Sequence, residues 1–213
     1  NIFRIILALI MVGIITGCIV ASVLTVYILR YANSDEQIRL EDAQMRYTTI
    51  LYANDPATNE PVELQELQTL EYRIYVPYDQ IPQYMKDAAV AIEDKRFWEH
   101  HGVDWKRTFG AFVNMFIPIY PTQAGGSTIT QQVIKNITGE DEVRVDRKVR
   151  EIFRALKLEQ NYTKEQILET YLNTIFFSNQ SYGVQAAANT YFGKDVQELT
   201  LAECASIIGI TNA

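Results

Sequence analysis

The chain has 213 residues, 48% of them hydrophobic, with a formal net charge of −7 and a pI near 4.9. That length bounds it to one globular domain plus an appendage, and its acidity argues against a nucleic-acid partner, whose binding rests on neutralising phosphates. The two cysteines, Cys18 and Cys204, lie far apart, one in an apolar run and one in a predicted helix, so neither a disulfide nor a zinc spacing is expected.

From Ile5 to Leu29 no residue is charged, and Arg4 and Arg30 bracket the run. As a helix those 25 residues reach about 37 Å, enough to cross a hydrocarbon core of about 30 Å with some tilt. Residues 1–30 are therefore expected to be an uncleaved transmembrane anchor, with a processed signal or a buried core helix as alternatives. Ile15-Thr16-Gly17-Cys18 resembles a lipoprotein cleavage box, but the apolar run continues beyond it, where a lipoprotein would turn polar.

Residues 31–80 are expected to form a stalk and a short strand segment. Tyr31 to Tyr47 is polar and charged and continues the helix. Thr48 to Tyr52 alternates, Asn54-Asp55-Pro56 signals a turn, and Val62 to Leu70 and Tyr72 to Val76 supply short strands. From there, residues 81–213 read as mainly helical. Three helix starts carry capping boxes: Thr128 with Gln131, Thr163 with Gln166, and Thr200 with Glu203. Phe109 to Tyr120 is apolar, aromatic and uncharged. It suits either a core helix or an interfacial segment dipping into a membrane.

Two stretches carry chemistry. In Glu93-Asp94-Lys95-Arg96-Phe97-Trp98-Glu99-His100-His101-Gly102, the i, i+4, i+7 spacing predicts that Glu93, Phe97 and His100 share one helix face. A carboxylate there is a candidate general base, or else a solvated group paired with Lys86, Lys95 or Arg96. Gly125-Gly126-Ser127-Thr128 opens a helix that continues through Gln131, Gln132 and Lys135. Backbone N–H groups and hydroxyls at such a junction suit a phosphate; the plainer reading is a flexible loop and an ordinary cap. A carboxylate base beside an anion cradle suggests group transfer from a phosphorylated donor.

The helix predicted over Val143 to Leu158 carries Arg144, Arg147, Lys148, Arg150, Arg154 and Lys157 against Asp146 and Glu151, a local excess of positive charge in an acidic chain. Val149, Ile152, Phe153 and Leu156 form an apolar stripe expected to face the core. The charged faces are either a cationic wall for diphosphate or a solvated surface laced by Arg147–Glu151 pairing. Downstream, Ile167-Leu168-Glu169-Thr170-Tyr171-Leu172-Asn173 reads as a brace. In it Leu168, Tyr171 and Leu172 are core, Glu169 orients a basic residue, and Asn173 caps the helix end.

Taken in order, ED-x-x-F-x-x-H-x-G from Glu93, GGSTITQQ from Gly125, Arg147-Lys148-Val149-Arg150-Glu151, the Ile167 to Asn173 motif, and Tyr182-Gly183-Val184-Gln185 leading to Tyr191-Phe192-Gly193-Lys194 resemble the peptidoglycan glycosyltransferase domain. That domain occurs in bifunctional penicillin-binding proteins and in monofunctional wall polymerases. The resemblance runs from about Ile81 to the end. It implies a mainly α, lysozyme-like glycosyltransferase domain with a short N-terminal β element and one transmembrane helix. It also implies that the domain continues past Ala213 and lies on the outer face of the cytoplasmic membrane. The implied reaction is inverting transfer, with Glu93 as base and Glu151 as a second carboxylate that positions a metal ion or helps the pyrophosphate leave. Gly125, Gly126, Ser127, Thr128, Gln131, Gln132, Lys135, Arg147 and Lys148 would bind the diphosphate and sugar, supported by Asp94, Phe97, His100, Glu169 and Asn173. Mg²⁺ or Mn²⁺ is the implied cofactor. The implied partners are the lipid-linked precursor, the growing glycan strand, the bilayer and other cell wall synthesis proteins. A lysozyme-like wall hydrolase and a non-enzymatic membrane scaffold are the competing functions. The hydrolase would not need the cationic helix, and the scaffold would tolerate loss of Glu93 or Glu151. The neutral stretch Phe176 to Gly183 departs from the family's glycine- or basic-rich lead-in, which puts in doubt the acceptor contact assigned there.

Overall fold

The computed structural model describes residues 2–32, 38–44, 49–56, 59–67, 71–116, 126–140, 142 and 144–211. Helix α1 spans Ile2–Ala32. Within it Phe3–Tyr27 has a mean hydropathy of 2.7 and no buried face, so by length and composition it can cross a bilayer. The predicted helical stalk does not follow as one rod. Its residues 33–37 and 45–48 lie outside the described residues, while Ile38 and Arg39 are non-helical and a short α2 (Glu41–Gln44) follows. Leu40 and Ala43 are buried, and the Tyr162 hydroxyl donates to the Glu41 carboxylate at 3.1 Å. These two buried apolar side chains and the Tyr162 contact fix this segment to the domain.

The predicted strands form. β1 (Thr49–Asn54) and β2 (Pro61–Leu67) make an antiparallel hairpin running from Thr49↔Leu67 to Asn54↔Pro61, with an irregularity between Leu51 and Tyr52. Asp55 accepts the Asn59 N–H in the turn. β3 (Tyr72–Arg73) is shorter than expected and pairs in parallel with the distant β4 (Ser181–Tyr182). A 3₁₀ turn, Tyr78–Gln80, leads into α3 (Gln83–Glu93).

The remaining helices are α4 (Trp105–Phe116), α5 (Ile129–Thr138), α6 (Val145–Asn161), α7 (Lys164–Thr174), α8 (Val184–Phe192) and α9 (Leu201–Ile210). All three predicted capping boxes are present, at Thr128, Thr163 and Thr200. In each, the N-cap hydroxyl and the side chain three residues on satisfy backbone donors reciprocally. α3 packs on α9, and α5 lies against both α6 and α7. Met85, Phe97, Ile134, Leu168, Leu172 and Ile207 are fully buried where these helices meet. Truncating any one aliphatic residue there to alanine costs about 2–5 kcal/mol through lost transfer energy and an unfilled cavity.

α6 buries Glu151, Ala155 and Leu158, while the predicted stripe is half-buried, with Ile152 and Leu156 packed against the core. A carboxylate occupies an inward position because Arg147 and Lys148 neutralise it there.

Candidate active site

α3 carries its buried residues at Met85, Lys86, Ala89, Val90 and Glu93, so Glu93 continues the inward stripe at the helix's last position. The helix stops there. Asp94 has φ −154° and ψ 75°, and turns follow. Glu93, Phe97 and His100 therefore do not share a helix face, contrary to their spacing. The Asp94 side chain explains the break. Its Oδ2 accepts the Ile129 N–H of α5 at 3.1 Å and lies 2.8 Å from His100 Nε2. This is the supporting role expected of Asp94 and His100, reached through a turn. Phe97 is fully buried, edge-on to Trp98 at 5.0 Å, with the Lys164 ammonium 4.3 Å from its ring centroid.

Only 9% of Glu93 is exposed. Gln132 donates to its Oε2 at 2.7 Å and Thr211 to its Oε1 at 2.9 Å, while the Arg107 guanidinium donates to its main-chain oxygen. A carboxylate with a donor on each oxygen is held in one orientation, as a proton acceptor requires. Asp104 starts α4 by accepting the Arg107 N–H at 2.9 Å, and it pairs with Arg96. Burial pushes the Asp104 carboxyl up, but the Arg107 N–H and the Arg96 guanidinium outweigh it and hold it below the usual carboxylate value.

The glycine loop behaves differently from the open phosphate cradle its composition suggests. Gly125 lies outside the described residues. A Cβ on Gly126 would come within 3.0 Å of Ala111 Cβ, so the loop passes close against α4. Thr128 and Gln131 are buried and serve the helix cap, and the Thr128 hydroxyl donates to the Gly102 carbonyl at 2.6 Å. The Ile129 and Gln131 amides are taken by Asp94 and Thr128. The polar side chains of this stretch that stay outside the cap include Ser127, just ahead of α5, with Gln132 and the exposed Lys135 on it.

Ser127 Oγ accepts from Lys148 Nζ at 2.8 Å, and the same ammonium pairs with Glu151 Oε1. Arg147 donates to Glu151 Oε2 at 2.6 Å. Two cations on one carboxylate leave a local excess of one positive charge beside the loop. The rest of the cationic helix is largely compensated. Arg144 and Arg150 pair with Asp146 at 3.1 Å, and Arg154 pairs with Glu140 at 3.2 Å. The predicted cationic wall narrows to Arg147 and Lys148. Both Glu151 oxygens carry cations, and among the described residues no group of three or more His, Cys, Asp or Glu could hold a metal ion.

The downstream brace forms with other partners than expected. Leu168, Tyr171 and Leu172 are fully buried, as predicted. Glu169 accepts from the Tyr75 hydroxyl and from the Tyr78 N–H at 3.0 Å, in place of orienting a basic residue. Asn173 does not cap α7. Its amide bonds both the N–H and the carbonyl of Val76, at 2.8 and 2.9 Å, as a neighbouring strand would. The residues at the site that spacing did not reveal are Arg107, Thr211 and Gly102. Gly102 has φ +83°, and a Cβ there would lie 2.5 Å from the Ala155 carbonyl oxygen, so α6 passes directly over it. The only local signal for any of them was the glycine ending the Glu93 stretch.

A buried base, a serine-tethered lysine and a guanidinium-carboxylate pair can together deprotonate a hydroxyl and neutralise a departing anion. A family profile described as Transglycosylase matches residues 60–213. Penicillin-binding protein 1A of Clostridium perfringens (strain 13 / Type A) is 40% identical over 201 residues, covering 92% of this chain and 29% of that protein. Penicillin-binding protein 1A of Escherichia coli (strain K12) is 47% identical over 143 residues, covering 66% of this chain and 16% of that protein. For penicillin-binding protein 1A/1B of Bacillus subtilis (strain 168) the identity is 45% over 141 residues, covering 66% and 15%. The chain thus spans less than a third of the length of the curated relatives it matches.

Proposed function

We propose that this chain, which belongs to the transglycosylase family, polymerises lipid-diphosphate-linked disaccharide-peptide into the glycan strands of the bacterial cell wall. The observation that carries the reading is the Glu93 carboxylate, nearly buried at the end of α3 with a donor on each oxygen. Such a group takes the proton of the acceptor sugar's 4-hydroxyl as that oxygen attacks the donor's anomeric carbon. The carbon–oxygen bond to the diphosphate breaks on the opposite face, which inverts the centre. Negative charge then gathers on the departing lipid diphosphate. Lys148, tethered to Ser127, and Arg147 would meet that charge, with the exposed Lys135 further along α5. Removing one such donor in a water-poor site typically costs about 10²–10³-fold in rate.

The Mg²⁺ or Mn²⁺ implied by the resemblance fits best as an ion carried by the diphosphate, because the Glu151 oxygens are occupied by Arg147 and Lys148. Magnesium commonly binds through substrate phosphates and keeps several waters. We read α1 as the membrane anchor, with the domain on the extracytoplasmic side, where such a precursor is consumed. Trp105 and Phe109, on one face of α4, are 59% and 68% exposed, which supports a second contact with the bilayer. Ile117 to Tyr120, the rest of that apolar segment, lie outside the described residues. Other cell wall synthesis proteins remain proposed partners through the same surface location.

The test is polymer formation from labelled lipid-linked precursor by Glu93→Gln, which keeps the shape and removes the base. Loss of a general base costs about 10²–10⁴-fold. A variant running at more than a tenth of the parent rate refutes the assignment. Finished glycan strands offered in parallel separate a polymerase from a hydrolase.

A further inference from the structure

Thr211 stands at the end of α9, in contact with the carboxylate that the proposed reaction needs. Its Oγ1 lies 2.9 Å from Glu93 Oε1 and 2.8 Å from the Ile208 carbonyl oxygen. A hydroxyl has one proton to donate, so only one of these acceptors is served at a time. Gln132, on the other carboxylate oxygen, offers an amide N–H at 2.7 Å. An amide nitrogen can only donate, so it suits the ionised carboxylate and never the protonated face of the acid. A hydroxyl can donate or accept.

The geometry points to Thr211 as a positioning residue that serves Glu93 in both of its protonation states; this rests on Glu93 being the base. While Glu93 is ionised, the Thr211 O–H donates to Oε1. When Glu93 takes the proton of the acceptor hydroxyl, that proton sits on Oε1, since Oε2 faces the Gln132 donor. The Thr211 hydroxyl then turns its own hydrogen to the Ile208 carbonyl and accepts from the new carboxylic acid. No heavy atom has to move, and each Glu93 oxygen and the Thr211 hydroxyl keep a partner in either state, which is the condition for a cheap proton transfer inside a protein. Asp94 is turned to Ile129 and His100, Arg107 reaches the main-chain oxygen of Glu93, and the Tyr171 hydroxyl on α7 is pushed well above its ordinary pKa by burial and by the Glu93 charge.

The experiment compares the full chain with Thr211→Ser, Thr211→Ala, Thr211→Val and Glu93→Gln, in detergent micelles, on labelled lipid-linked precursor between pH 5 and 9. Melting temperature is recorded for each. Thr211→Ser should keep the parent kcat and KM. Thr211→Ala and Thr211→Val should both lower kcat about tenfold with KM unchanged, because the proton transfer then leaves a buried carboxyl oxygen without its partner. Serine and alanine differ here only by the hydroxyl. If those two variants share one kcat, the proposal is overturned. It is equally overturned if the alanine and valine variants fail to melt cooperatively, since Thr211 is then a structural residue. If Glu93→Gln stays active, the base assignment itself fails, and that outcome is read independently of the Thr211 series.

Discussion

Gly102 offers a quantitative test of how the turn after Glu93 is held against α6. At φ +83° an L-residue is in the left-handed region, which costs roughly 1–2 kcal/mol. A Cβ would also lie 2.5 Å from Ala155 O and 2.7 Å from Ala155 C. Ordinary contact begins near 3.4 Å, so turn and helix must part by about 0.9 Å. Forcing a packed region apart on that scale costs about 1–3 kcal/mol. Gly102→Ala should therefore lose about 2–5 kcal/mol. Gly139, at the C-terminal cap of α5, is the control, since it has φ +68° but nothing within 4 Å of its Cβ position. Gly139→Ala should lose only the conformational part, about 1–2 kcal/mol. Equilibrium denaturation followed by tryptophan fluorescence reads this locally, because the chain's two tryptophans, Trp98 and Trp105, flank Gly102. Polymerisation by Gly102→Ala should also fall under conditions where it remains folded, because the turn carries Asp94 and follows Glu93. If Gly102→Ala is no less stable than Gly139→Ala, the close approach of α6 is not what holds this turn.

Lys148→Ala should weaken binding of a lipid diphosphate by about tenfold or more, with the loss shrinking as salt rises; affinity unchanged at low ionic strength would make the lysine a partner of Glu151 alone. Trp105→Asp with Phe109→Asp, made in a chain starting near Tyr31, should reduce co-sedimentation with liposomes while circular dichroism is unchanged; co-sedimentation equal to that of the same chain without the substitutions would show that this face does not meet the bilayer. Glu203 is held down to about 2 by its hydrogen bond to Lys194, then by the Thr200 backbone and hydroxyl. Its folded value lies below the ordinary 4.5, so its stabilisation is present above that value and drains away as pH falls from 4.5 toward 2. Glu203→Gln should melt lower than the parent at pH 7 and converge with it near pH 2, and parallel melting curves across that window would show that the cap contributes nothing.

The parts of this fold that local rules govern were readable from the sequence. A capping box needs residues three apart, and Thr128, Thr163 and Thr200 each formed one. The hairpin turn at Asn54-Asp55 also lay where its residues put it. Periodicity misled at Glu93 to His100, because it cannot register that Asp94 bonds Ile129, thirty-five residues away, and so leaves the helix. On α6 the pattern offered the Arg147–Glu151 pair but could not show that Glu151 is buried between Arg147 and Lys148. At the glycine loop no local pattern could show that the Ile129 and Gln131 amides are engaged by Asp94 and Thr128. Thr211, Glu169 and Asn173 act on residues more than ninety positions away, and no local signal marks such partners.

The clasp of Asn173 on Val76 also has a mechanical side. The chain leaving α1 reaches α3 only by passing Val76, a residue gripped at both its N–H and its carbonyl. Glu169 holds the Tyr78 N–H two residues later. A pull along α1 would meet the buried Leu40 and Ala43 first and then these bonds working side by side on α7. The tension ends before Gln83, and the helix that aims Glu93 begins on the slack side of the knot.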